Sequence, residues 1–210
     1  MAAQRQTEEL ILGEGARFLG LTCDVTHQDQ VERAVEQAVA ELGSLEILVS
    51  NAGIIPSKPF AKTTLEDWRR VMTLNLEGTF VVTKAVLPHL GAAGWGRIVL
   101  ISSSTVWLGV PTMVPYVTSK MGLIGFTRAL AAEVGAQGIT VNAVTPGLVE
   151  TETTLASPIA GRYDWVVENQ IVQRRQQPED LVSTLLYLCD ERSGFITGQA
   201  INVDGGFAKH

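Results

Sequence analysis

Three polar side chains between positions 103 and 120 have the types and spacing that acid–base chemistry needs. Tyr116 and Lys120 are four residues apart, so on a helix both leave the same face, one turn apart. A phenol normally titrates near pH 10, and an ammonium group beside it favours the phenolate and lowers that pKa. Ser103 follows an apolar run at 98–101. We expect its hydroxyl to hold a substrate carbonyl while Tyr116 exchanges a proton with an alcohol or ketone.

The elements that must position these residues alternate between predicted strands and predicted helices. Continuous apolar runs predict strands, and apolar residues at helical spacing predict helices. The predicted strands are 16–23, 45–50, 97–102, 139–144 and 200–203. The predicted helices are 4–13, 26–42, 64–90 (broken near Asn75), 116–136 and 178–190. This alternation indicates an α/β domain with a parallel sheet covered on both faces.

The suspected functional residues collect at one edge of that sheet. Asn51, Ser103 and Pro146-Gly147 all follow predicted strands. Ligands of parallel α/β sheets bind beyond the carboxyl ends of the strands. We therefore expect one site at this edge.

Composition narrows the class of protein further. The chain has 210 residues, 46% hydrophobic and 18% charged, and a net charge of -6, which suits one domain over residues 1–210 and argues against nucleic-acid or anionic-membrane partners. No apolar run approaches the roughly 18 residues that a membrane span needs. Cys23 and Cys189 are predicted to be buried thiols of a cytoplasmic protein, and the histidines lack the spacing of metal ligands.

Taken in order, these motifs resemble the short-chain dehydrogenase/reductase family. The matching residues are Asn51-Ala52-Gly53, Asn75, Ser103, Tyr116-x-x-x-Lys120, and Pro146-Gly147 followed by Thr151. The resemblance covers essentially the whole chain. It implies a Rossmann-like, doubly wound parallel sheet and an oxidoreductase that uses NAD or NADP, with NAD favoured.

The resemblance also implies a role for each matching residue. Tyr116 would be the acid and base, Lys120 would lower its pKa and hold the nicotinamide ribose, Ser103 would bind the substrate oxygen, and Asn75 would keep a water for proton relay. The implied cofactor-binding residues are Asp24, Val25, Asn51, Ala52, Gly53, Tyr116, Lys120, Pro146, Gly147, Val149 and Thr151.

The sequence departs from the family pattern at its N-terminal end. The family opens with a strand, a glycine-rich turn and a helix, whereas Gly13-Glu14-Gly15 precedes a predicted strand and lacks a third glycine at the required spacing. By comparison with the family, we expect an N-terminally truncated sheet that lacks the first two strands and the first helix. The strand at 45–50 would then have an unpaired apolar edge.

The substrate is expected to be a small alcohol or ketone that is apolar or carries a ring. Segment 148–177 occupies the place of the family's substrate lid. The predicted substrate-binding residues are Ser103, Trp107, Met113, Tyr116 and Trp165. Two lid and C-terminal segments resemble dehydrogenases of aromatic secondary alcohols and of pyridoxal-type alcohols.

Two alternatives remain open. The first is a reductase of 3-ketoacyl groups. The second is a non-catalytic, dehydrogenase-like subunit that acts by association, which the missing glycine-rich turn favours and the Asn75, Ser103, Tyr116 and Lys120 quartet opposes. By resemblance, the long helices at about 64–90 and 115–136 would form the contacts of a homodimer or homotetramer.

Overall fold

A parallel four-stranded sheet forms the centre of the protein. The computed structural model describes residues 2–92 and 94–209. Its strands are β1 (Ile47–Ser50), β2 (Gly96–Ile101), β3 (Ile139–Pro146) and β4 (Ala200–Val203), and each pairs in parallel with the next in chain order. The predicted α/β class with a Rossmann-like parallel sheet is confirmed.

Helices connect and cover these strands. They are α1 (Ala2–Gly13), α2 (Gln28–Leu42), α3 (Leu65–Met72), α4 (Gly78–Val86), α5 (Thr105–Leu108), α6 (Val114–Val134), α7 (Glu152–Leu155), α8 (Tyr163–Asn169) and α9 (Glu179–Cys189). Shorter 3₁₀ turns lie at Phe60–Lys62, Gly135–Gln137, Pro158–Arg162 and Glu191–Ser193. From β1 onward, the chain outside the lid alternates as the sequence predicted, with boundaries shifted by a few residues.

Strand β2 divides the core into two layers. Because successive side chains of a strand point to opposite faces, Ile98 and Leu100 pack with residues of α4 and α6, while Val99 and Ile101 pack with residues of α9. All eight residues of β3 are buried. The continuous apolar character of these strands therefore reflects burial on both faces.

The predicted strand at 16–23 is wrong. Residues 16–24 form neither strand nor helix. A strand must pair its backbone groups with a neighbour, and no described strand lies beside this segment. The segment ends against the helical layer instead, where Val25 packs so close to Gly78 that a Cβ added at Gly78 would lie 2.9 Å from a methyl carbon of Val25.

The long helix predicted over 64–90 is divided at Asn75, as expected. Residues Thr73–Glu77 form a π-helical turn between α3 and α4. Such turns insert one residue into the helical repeat and are frequent at functional sites. The Asn75 carbonyl oxygen accepts a hydrogen bond from the Thr79 hydroxyl at 3.1 Å. This carbonyl therefore has a partner where the regular α-helical hydrogen bonds are interrupted.

Strand β1 forms one edge of the described sheet. It pairs only with β2 among the described strands, and its outward side chains Ile47 and Val49 are 42% and 43% exposed. Elsewhere, no helix within the described residues is long and apolar enough to cross a membrane.

Candidate active site

A cavity of about 470 Å³ lies at the carboxyl edge of the sheet. Residues that follow all four strands line it: Asn51 after β1, Ser103 after β2, Gly147 after β3 and Phe207 after β4. The volume lies within the range of small-molecule sites. The single site expected at this edge is therefore present as one connected cavity.

Tyr116 and Ser103 face each other in this cavity. Tyr116 lies in the first turn of α6, which begins after Met113 and carries Pro115 where proline is tolerated. Burial raises the pKa of the Tyr116 phenol, and hydrogen bonding with Ser103 acts in the opposite direction. The Ser103 oxygen also accepts from the Thr105 hydroxyl at 2.9 Å, which orients it toward the cavity.

Lys120 lies one turn along α6 from Tyr116. Its Nζ donates to the carbonyl oxygen of Ile101 at 2.8 Å and lies 6.0 Å from the centre of the Tyr116 ring. Burial lowers the pKa of Lys120 to about 8. Burial is the main cause that raises the pKa of Tyr116, and Ser103 is the group that opposes the rise. The lowering of this pKa by Lys120 stays a prediction.

Asn75 lies behind the cavity wall, fully buried. Its side chain accepts from the Ile54 amide at 2.8 Å and donates to the Ile54 carbonyl at 3.0 Å and to Ser119 Oγ at 3.1 Å. A Cβ added at Gly53 would lie 3.2 Å from Asn75 Oδ1 and 3.4 Å from Lys120 Nζ. Asn75 therefore fixes the loop after β1 against Lys120.

The cavity wall beyond Lys120 fits the nicotinamide end of a dinucleotide. Pro146, Gly147, Val149 and Thr151 all line it, as do Asn51 and Gly53. A Cβ added at Gly147 would lie 3.1 Å from the Asp204 backbone, so only glycine leaves this wall undistorted. Hydroxyl, amide and ammonium groups from Thr151, Asn51 and Lys120 supply the donors and acceptors that a ribose and a carboxamide need.

Five residues predicted for the site do not line the cavity. These are Asp24, Val25, Ala52, Asn75 and Trp107. Asp24 accepts hydrogen bonds from the Thr26 amide and hydroxyl at 2.9 and 2.7 Å. The Trp107 indole donates to Thr145 Oγ1 at 3.4 Å. Because Trp107 lies on the short helix α5, the next residue, Leu108, contributes to the wall in its place.

Segment 148–177 covers the cavity with short helices rather than a featureless loop. Met113 and Ile159 pack with Tyr116 in one buried cluster. Trp165 lines the cavity and meets Phe207 edge to face, with ring centres 5.3 Å apart. The predicted placement of Met113 and Trp165 at the cavity therefore agrees with the structure.

Among the lining residues that the sequence analysis missed are Phe207 and Arg162. Phe207 follows β4, and the rule that ligands bind beyond strand ends points to it. Arg162 is the one basic residue in the lid stretch 158–167, which is mostly apolar and aromatic and also contains Asp164. This lone basic residue was the available signal. Within the described residues, no group of three or more histidine, cysteine, aspartate or glutamate side chains is placed to hold a metal ion.

Comparison with known proteins agrees with this arrangement. A family model described as enoyl-(acyl carrier protein) reductase matches residues 1–208. The chain is 39% identical to (2S)-[(R)-hydroxy(phenyl)methyl]succinyl-CoA dehydrogenase subunit of Thauera aromatica, covering 96% of this chain and 81% of the relative. It is 37% identical to a 3-oxoacyl-[acyl-carrier-protein] reductase of Aquifex aeolicus, covering 97% and 82%.

Solved structures show the same fold. A gluconate 5-dehydrogenase from Burkholderia cenocepacia, in complex with NADP and tartrate, superposes with a TM-score of 0.82 at 34% identity, covering 88% of this chain and 72% of that one. A mutant of a Serratia marcescens short-chain dehydrogenase/reductase gives a TM-score of 0.85 at 31% identity, covering 94% and 79%. The chain belongs to the short-chain dehydrogenase/reductase family, whose members are NAD(P)-dependent oxidoreductases.

Proposed function

We propose that this site interconverts a small apolar or aromatic secondary alcohol and its ketone. The observation that carries the proposal is the convergence of Ser103, Tyr116 and Lys120 on one cavity whose remaining wall is largely apolar. The residues implied to hold the nicotinamide end line the same cavity. The residues proposed for proton transfer and those proposed to hold the hydride-exchanging end of the cofactor thus line the same cavity.

In this proposal each side chain has one task. Tyr116 gives its proton to the ketone oxygen in reduction and takes it back in oxidation. Ser103 donates a hydrogen bond to that oxygen and fixes its position. Lys120 holds the nicotinamide ribose, and Asn75 positions the loop at Ile54. NAD(P), when bound, supplies or accepts the hydride.

The apolar wall supports a substrate that carries a ring. The apolar residues that line the cavity together with Tyr116 include Leu108, Val110, Met113, Ile159 and Trp165. Apolar and aromatic walls bury the body of a ligand while a few polar groups orient it. Such a wall suits a ring that packs among these side chains while the reacting oxygen binds Ser103 and Tyr116.

A substrate panel tests the proposal. We expect acetophenone and related aryl ketones to be reduced with NADH or NADPH at a kcat/KM at least about tenfold above that of acetoacetyl-CoA. A small apolar cavity binds an aryl ring well but adds little binding energy for a polar thioester carrier. The oxidation of NADH or NADPH is followed by absorbance. Activity confined to acyl thioesters would contradict the proposal.

A 3-oxoacyl reductase is the second candidate, and the named relatives favour it. One relative reduces 3-oxoacyl groups on acyl carrier protein, and another is named for a phenyl-bearing acyl-CoA. The same Ser103 and Tyr116 geometry serves a 3-oxo group. Absence of turnover on every compound with both cofactors would instead favour a non-catalytic subunit.

We also propose a homodimer or homotetramer built on the helices α3, α4 and α6. Leu65 and Phe80 are 61% and 50% exposed, and Val114 and Met121 are 40% and 41% exposed. Apolar side chains in such patches mark contact surfaces. Light scattering after size exclusion is expected to give a mass of two or four chains, and Phe80→Glu is expected to lower it. A monomer of about 22.6 kDa at micromolar concentration would contradict this.

A further inference from the structure

The charged residues that line the cavity are both basic. Among its lining residues, Lys120 and Arg162 carry charge, and no aspartate or glutamate is present. This contrasts with the chain as a whole, which has a net charge of -6. Lys120 has its own carbonyl partner in Ile101. The charge of Arg162 has no comparable function in the reaction proposed above.

Arg162 differs from the other lid arginines in its partners. Arg174 pairs with Asp180 at 2.6 Å, and Arg175 pairs with Glu150 at 2.7 Å. Among the described residues, no carboxylate lies within ion-pair distance of Arg162. Its guanidinium contacts two neutral groups of the described chain: Nη2 lies 3.1 Å from Thr112 Oγ1, and Nη1 lies 3.7 Å from Met113 Sδ.

These partners are weak ones for a guanidinium. The group has five N–H donors in a planar fork that matches a carboxylate with two parallel hydrogen bonds. A hydroxyl and a thioether use two of those donors without balancing the charge. Arg162 is half-buried at the cavity wall, where such an interaction is less screened than at the surface.

The position of Arg162 relative to the reacting groups is defined by Met113. This side chain is buried, packs with Tyr116 and also contacts Arg162. A ligand whose oxygen is held by Tyr116 can therefore extend past Met113 and meet the guanidinium. We propose that Arg162 binds a carboxylate of the substrate, so that the natural substrate is a hydroxy or oxo acid with an apolar body. This proposal rests on the proposed oxidoreductase function and narrows its substrate class.

A purely structural role for Arg162 makes a different prediction. Thr112 has a left-handed backbone, with φ of 68°, and its hydroxyl also bonds Ser57 Oγ at 2.7 Å. Arg162 could simply join the lid to this turn. In that case its removal would weaken the binding of acids and of neutral ligands equally, because the substitution would change the shape of the cavity and would remove no ion pair with the ligand.

Binding of a matched pair of ligands separates these roles. The pair is 3-phenylpropionate and 3-phenylpropanamide, titrated by calorimetry without cofactor, so that the result does not depend on turnover. We expect the acid to bind about 10- to 100-fold more tightly than the amide, as a charge-assisted, two-point hydrogen bond provides. Arg162→Gln is expected to remove this preference, and Arg162→Lys to retain part of it. Arg174→Gln is the matched control and is expected to retain all of it.

Several outcomes would overturn the proposal. They are equal binding of acid and amide to the unaltered protein, an unchanged preference in both Arg162 variants, and no detectable binding of the acid at millimolar concentration. If Arg162→Gln weakens binding of coenzyme A but not of 3-phenylpropionate, the guanidinium binds a carrier phosphate and the carboxylate assignment fails. A charge preference without turnover on any ketone would instead refute the proposed oxidoreductase function and leave the carboxylate site in place.

Discussion

Replacing Tyr116 by phenylalanine is expected to lower kcat for ketone reduction by about 10²- to 10⁴-fold. The hydroxyl is the group proposed to exchange a proton with the reacting oxygen, and it faces Ser103 in the cavity. The ring is 5% exposed and packs with Met113 and Ile159. Phenylalanine preserves that packing, so the melting temperature should change little. Steady-state kinetics and calorimetry on the same preparation measure both effects.

Tyr187→Phe is the matched control for this variant. Tyr187 lies on α9 with 52% of its surface exposed and does not line the cavity. The same loss of a hydroxyl there is expected to leave kcat within about twofold, as surface substitutions usually do. A Tyr116→Phe protein that retains more than a tenth of the unaltered activity would show that another group supplies the proton.

Replacing Lys120 by methionine is expected to abolish most activity and yet to stabilise the fold at neutral pH. Burial lowers the pKa of Lys120 to about 8 from an ordinary value of 10.5, which corresponds to about 3 kcal/mol against folding when the group is charged. The hydrogen bond to Ile101 offsets about 1–2 kcal/mol of this. We therefore expect a gain of about 1–2 kcal/mol in the free energy of unfolding, measured by urea denaturation.

The lowered pKa of Lys120 also predicts how the free energy of unfolding depends on pH. Between about pH 8 and pH 10.5, the unfolded chain holds a proton on Lys120 that the folded chain has released. Stability therefore rises with pH in this window. Burial raises the pKa of Tyr116, which acts in the opposite direction above about pH 10. The difference between the unaltered protein and Lys120→Met isolates the lysine and should shrink from pH 8 upward.

Lys84→Met provides the control for loss of a lysine. Lys84 is exposed on α4 and lies 5.9 Å from the centre of the Phe80 ring. Its removal should alter the free energy of unfolding by less than about 0.5 kcal/mol, as surface substitutions usually do. If Lys120→Met proves less stable than the unaltered protein at pH 7, the burial of Lys120 is compensated by interactions that outweigh its desolvation.

Patterns of apolar residues predicted the strands that pair within the sheet and the helix α9 that packs against it. Strand β4 was predicted with its observed bounds, and α9 begins directly after Pro178 as its sequence indicates. The segment 16–23 has an equally apolar pattern but no strand beside it among the described residues. An apolar pattern shows that a segment favours the strand conformation. A strand also needs a neighbouring strand to pair with, and the sequence of the segment does not show whether that neighbour exists.

The sequence predicted those site residues whose place follows from the order of strands and helices along the chain. It predicted less well those whose place depends on the direction in which a side chain points. Ser103, Tyr116 and Lys120 follow strand and helix positions and line the cavity as expected. Trp107 was assigned to the cavity by its nearness to Ser103, but a single helical turn directs Leu108 there instead. The burial that raises the pKa of Tyr116 was not predicted, because spacing shows a neighbouring charge but not the depth of burial.

The π-helical turn at Thr73–Glu77 has a consequence for how this part of the chain can vary. The extra residue rotates every side chain of α4 by about a quarter of a circle relative to α3. Removing one residue here would therefore turn α4 by about a quarter of a circle and move Thr83 and Val86 out of their buried positions. Insertions or deletions at this point are thus far more disruptive than point substitutions, although both would look alike in a simple count of sequence differences.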